Sequence, residues 1–170
     1  EMIDHHAFLS CESLKEITIP EGVLSIGVSA FSHCDNLLKV SIPATVEAVG
    51  NSAFDRCTAL ESLTFPSGMS VINNCFSGCS SLKRFEISAA VSFIDPLNFY
   101  GCSSLTEIEV TESNLFYKSV DGVLLNVEGD ELIAYPQGID VIVFPPGIKR
   151  IGDYVFHGRR DLSQIVIPDG

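Results

Sequence analysis

The chain has few positive charges, no long apolar run and none of the short motifs that mark common active sites, and each absence removes a class of function. Ten basic side chains against 22 acidic ones give a net charge of −12, so approach to nucleic acid or to an anionic membrane meets repulsion at close range. No nucleic-acid partner is expected. Hydrophobic residues make up 46% of the 170, yet no apolar stretch approaches the roughly 18 residues needed to cross a bilayer, so no membrane insertion is predicted. There is no Gly-x-Ser-x-Gly elbow, phosphate loop or paired-histidine metal motif, and His5, His6, His33 and His157 are scattered. Glu128, Asp130 and Glu131 crowd one turn without the spacing of a calcium loop. No catalytic, cofactor or metal site is predicted, and the chain reads as non-enzymatic.

What the chain does have is a repeat of about 23 residues. Phenylalanine falls at Phe8, Phe31, Phe54, Phe76, Phe99 and Phe156, cysteine follows three residues later at Cys11, Cys34, Cys57, Cys79 and Cys102, and leucine follows six later at Leu14, Leu37, Leu60, Leu82, Leu105 and Leu162. A fixed period of this size means one small unit stacked many times, with a core shared between neighbouring coils. The alternation Ile17-Thr18-Ile19 predicts a short strand. Val40, Leu63, Phe85 and Ile108 repeat its first inward position, and Ile42, Phe65, Ile87 and Val110 its second. Side by side these strands make a parallel sheet, ended by Pro20, Pro43, Pro66, Pro145 and Pro168, which lack the donor to continue it. Glycine at Gly27, Gly50 and Gly152 then predicts a turn, and a short helical or 3₁₀ turn carries each phenylalanine across the other face.

These residues resemble the BspA-type, or Treponema pallidum-type, leucine-rich repeat. The stretches that carry the resemblance are 26–34 with Leu37 and Ile42-Pro43, and 49–57 with Leu60 and Phe65-Pro66. It covers nearly the whole chain. It implies a right-handed leucine-rich-repeat solenoid. It also implies a place on the cell surface or outside the cell, and a role in binding a protein or glycan on a host or neighbouring cell. A structural spacer that projects other domains is the alternative. Residues 1–170 are expected to form a single domain, a fragment of a longer chain, since neither end shows a capping unit.

Departures from the repeat mark where individuality lies. The fourth unit is one residue short between Ile72 and Phe76, the fifth has Asn98 in place of alanine, and the last has Arg159 in place of cysteine. A guanidinium is not buried unpaired, so this coil must open toward solvent or supply an acidic partner such as Asp161. Between Thr111 and Val141 the period is interrupted. There, 117–126 reads as two strands about Asp121-Gly122 and 131–135 as a third, together a small β insertion at about 112–140 on the helical-turn side.

The repeated cysteines point the same way from successive coils, which favours buried free thiols over disulfides. Outward strand positions vary while inward ones do not. Arg84, Glu86, Glu107 and Glu109, on adjacent central units, are the candidate partner-binding surface. The acidic surface predicts a soluble monomer.

Overall fold

The computed structural model describes residues 1–167; Pro168, the last of the strand-ending prolines, lies outside the described residues. The chain winds as a β-solenoid of about seven turns. Each regular coil offers two short parallel strands, in two strips. In the first strip Glu16–Thr18 pairs with Lys39–Ser41, and Arg84–Ile87 with Glu107–Val110. In the second, Met2–Ile3, Ser25–Ile26 and Ala48–Val49 form one ladder and Val71–Ile72 pairs with Phe93–Ile94. Registers such as Ile17↔Val40 and Phe85↔Ile108 place equivalent residues of successive units side by side.

The first strip is less continuous than the repeat predicts. Residues 61–66 form no strand. Within it Phe65 stands at the second inward position, where the neighbouring units have Ile42 and Ile87. Phe65 and Phe85 meet edge-on at 6.0 Å, and their rings fill the space between the layers.

The turn side is built from 3₁₀-type closures. Ala30 N donates to Gly27 O, Cys34 N to Phe31 O and Leu37 N to Cys34 O. In the fifth unit they extend to a 3₁₀ helix, Pro96–Phe99, whose N-cap Asp95 accepts from Leu97 N. Coils also bond to each other here, Phe31 N reaching Ala53 O and Phe54 N reaching Cys75 O at 2.7 Å. Both sides of the solenoid are therefore hydrogen-bonded ladders. The close approach of coils, more than any unusual dihedral, explains the repeated glycine. A Cβ on Gly50 would lie 2.6 Å from Val28 N and 2.7 Å from the Gly27 carbonyl carbon.

The expected aromatic column is present in two segments. Phe8, Phe31 and Phe54 stack nearly parallel, with centroids 5.0 and 5.4 Å apart. Phe31, Phe54, Phe76 and Phe99 are buried, and Phe8, in the first coil, is half-buried. At the short fourth unit the pattern turns: Phe76 stacks on Phe85 at 4.6 Å and meets Phe99 edge-on at 5.7 Å.

Two departures that the sequence presents separately are coupled in space. With one residue missing, Cys75 N has no local carbonyl to reach. The buried Asn98 side chain from the next coil accepts from it at 2.8 Å and donates to Ile72 O and Asp95 O. Unit five thus carries the amide that unit four requires.

The insertion forms the three predicted strands, Tyr117–Val120, Val123–Asn126 and Glu131–Ala134, paired antiparallel. Its placement differs from the expectation. The hairpin turn docks beside the first strand strip, where Ile108 N donates to Gly122 O at 2.9 Å and Ser119 Oγ to Ile108 O. Glu131–Ala134 then joins the second strip, parallel to Arg150–Ile151. The block therefore completes a coil, because it supplies the strand edge and the apolar layer that the missing repeat would have supplied. Leu124 packs into the main core. Val123 and Leu125 face a second cluster with Leu132, Tyr135, Ile148 and Val155.

Candidate functional site

Arg84–Ile87 and Glu107–Val110 are the longest paired strands of the first strip, and alternation turns Phe85, Ile87 and Ile108 into the core. Val110, in register with Ile87, packs against the same core, and the remaining residues, Arg84, Glu86, Glu107 and Glu109, face outward on a backbone fixed by a continuous ladder. All four predicted surface residues are brought together here. Arg84 pairs with Glu107 at 2.9 Å and approaches Glu109 at 3.7 Å. Glu86 stands beside Glu109 in register and has no cationic partner among the described residues. Two carboxylates one strand spacing apart repel, so this end of the patch favours a positive group from outside. The patch is half self-neutralised and half open.

The sequence reading missed two contributors. Glu112 and Ser119 of the insertion join Glu86 and Glu109 around a shallow depression of about 370 Å³. The Tyr117–Val120 alternation carried a signal for Ser119, but nothing local shows that the hairpin folds back on this strip.

The thiols form a structural ladder rather than a reactive site. Cys34 Sγ donates to Phe8 O at 3.1 Å, Cys57 Sγ to Phe31 O and Cys79 Sγ to Phe54 O at 3.2 Å. Each therefore bonds to the preceding coil. Burial pushes the Cys57 and Cys102 thiols up to about 12 and raises those of Cys34, Cys75 and Cys79 as well, opposite to the lowered values of nucleophilic cysteines. Arg159, at the cysteine position of the last coil, has a side chain only 3% exposed. It donates to both carboxylate oxygens of Asp161, its expected partner, and to Ile139 O. The acidic turn is also spoken for. Asp130 accepts from Asn126 and Lys149, which hold its carboxyl below the usual range, and Glu131 pairs with Arg150. Among the described residues no three His, Cys, Asp or Glu side chains are grouped to hold a metal ion.

The model of the BspA type leucine rich repeat region matches residues 1–119 and 132–170 in six copies. The chain belongs to this family. A comparison with curated proteins finds no match. Among solved structures, a leucine-rich repeat protein from Eubacterium ventriosum is similar with a TM-score of 0.75 at 26% identity, over 91% of this chain and 42% of that one. A leucine rich cell surface protein from Faecalibacterium prausnitzii has a TM-score of 0.65 at 26% identity, over 91% and 49%. The T. pallidum leucine rich repeat protein has a TM-score of 0.64 over 89% and 62%, and at 23% identity this likeness concerns the fold alone. The chain spans less than two thirds of the length of each of the three. The residues unmatched by the family model, 120–131, fall within the β insertion.

Proposed function

We propose that the chain is a non-catalytic interaction module of a cell-surface or secreted protein. It binds a protein or glycan partner on a host or neighbouring cell through the strand face at Arg84, Glu86, Glu107 and Glu109. The observation that carries this reading is the pair of four-residue strands, which hold a mixed-charge, outward-facing patch on a rigid ladder flanked by the hairpin. Rigid supports favour recognition because little conformational freedom is lost on binding. Family membership and the likeness to a leucine rich cell surface protein support the setting.

A second reading, a spacer that projects other domains, draws on the self-pairing of Arg84 and on the insertion's role in keeping the stack continuous. Photo-crosslinking separates the two. A crosslinker at position 86 should capture one discrete partner on intact target cells, and the same probe at the exposed Glu12 in the first coil should not. Equal, diffuse labelling from both positions would favour the spacer.

A further inference from the structure

The second strand strip carries an aromatic groove that the strand-face reading does not use. It has a volume of about 360 Å³ and is lined by Phe93, Tyr117 and Tyr154 together with Asp95, Asp153 and the Glu131–Arg150 pair. Phe93 and Tyr154 are 47% and 57% exposed, while the Tyr117 hydroxyl is pinned, accepting from Ile94 N and donating to Ser92 O.

Tyr154 is the telling residue. Each regular coil has a left-handed position here, held by His6, Ser29 and Ser52 at φ 60°, 53° and 57°, and Tyr154 adopts 61°. A bulky side chain in this region is disfavoured. Burial offsets little of the cost, since the ring is mostly exposed and its aromatic neighbour among the described residues is His157, met edge-on at 5.8 Å. The groove's charge then selects the ligand. Arg150 is held by Glu131 at 3.4 Å, whereas Asp95 and Asp153 have no cationic partner among the described residues. Aromatic faces and carboxylates without a cationic partner both attract a cation, whereas a neutral sugar gains only hydrogen bonds from such carboxylates, and Asp95 already spends one oxygen capping Leu97 N.

We propose that this groove receives a lysine or arginine side chain of a basic segment on a partner protein. The site rests on the reading of the chain as an interaction module but not on the strand face being its surface. Binding of an acetylated, amidated Gly-Lys-Gly-Lys-Gly peptide, followed by amide chemical shifts, tests it. Shifts should centre on Phe93, Ile94, Tyr117, Asp153 and Tyr154. The Asp95→Asn/Asp153→Asn pair should weaken binding at least tenfold, and Tyr154→Gly should weaken it several-fold without lowering Tm. Glu12→Gln/Glu21→Gln, an equal charge change in the first coil, should leave affinity within twofold. Shifts spread over the acidic surface, equal loss in both charge pairs, or groove shifts with maltohexaose and none with the peptide would each overturn the proposal. Crosslinking from position 86 is unaffected by any of these outcomes, so the two sites fail separately.

Discussion

Asn98→Ala inverts what the repeat alone would recommend, because alanine occupies the equivalent position in other coils as Ala30 and Ala53. In a regular coil alanine suffices, since Ala53 N finds Gly50 O within its own turn. The fourth unit lacks the residue that would allow this, and Asn98 Oδ1 is the acceptor found for Cys75 N. Ile72 O and Asp95 O would keep other donors, Asp95 N and Asn98 N. The substitution thus orphans one buried N–H, which costs about 1–3 kcal/mol, and loses side-chain packing besides. A total of about 2–4 kcal/mol follows. Urea unfolding followed by circular dichroism reads this directly, and the Cys75 amide should lose hydrogen-exchange protection. Restoring the missing residue, by inserting glycine after Asn73, should cost less in the Asn98→Ala background than in the natural one. That difference is the coupling between the two units. A loss under about 0.5 kcal/mol, within the range of ordinary surface changes, or additive effects of the two changes would refute the reasoning.

Three further outcomes follow from the stack. Phe54→Ala, at a fully buried position against Phe31, should cost about 3–5 kcal/mol in the same assay. Gly50→Ala should sharply lower Tm even though the φ of Gly50 is not in the left-handed region, because its Cβ meets Val28 and Gly27 backbone; an unchanged Tm would show that the coils can separate freely. The buried thiols should resist a thiol reagent in the native protein, and all six should react once it is denatured without reductant. Because burial raises their values, the folded state keeps protons that the unfolded state loses. Stability is fully present below the ordinary thiol range near pH 8.5 and falls from there to about pH 12, by roughly 1.4 kcal/mol per pH unit for each such thiol.

The repeat was legible because packing constraints recur at each coil. Phe31 and Phe54, Leu37 and Leu60, and the cysteines between them report a shared interior, and the cost of burying a charge narrowed Arg159 to a solvent-open coil or a pair with Asp161, of which the structure has the pair. Illegible features depend on contacts between units. Asn98 answers a gap 23 residues earlier, Gly50 is constrained by Val28 of the coil before it, and the Phe76 ring turns where Phe85 arrives from the strand layer. The hairpin was readable as strands but not in its placement, since Gly122 meets Ile108 through a carbonyl that carries no sequence signal. The surface was readable only as variation. Its chemistry, with Arg84 neutralised by Glu107 and Glu86 left open, appears when registers are known.

The most direct test of the interaction role is the affinity of a captured partner for the Arg84→Glu/Glu86→Arg/Glu107→Arg/Glu109→Arg variant. Exposed pairs contribute little to stability, so Tm should stay close to that of the natural chain while affinity falls at least tenfold. Unchanged affinity in the folded variant would contradict the assignment of binding to this strand face.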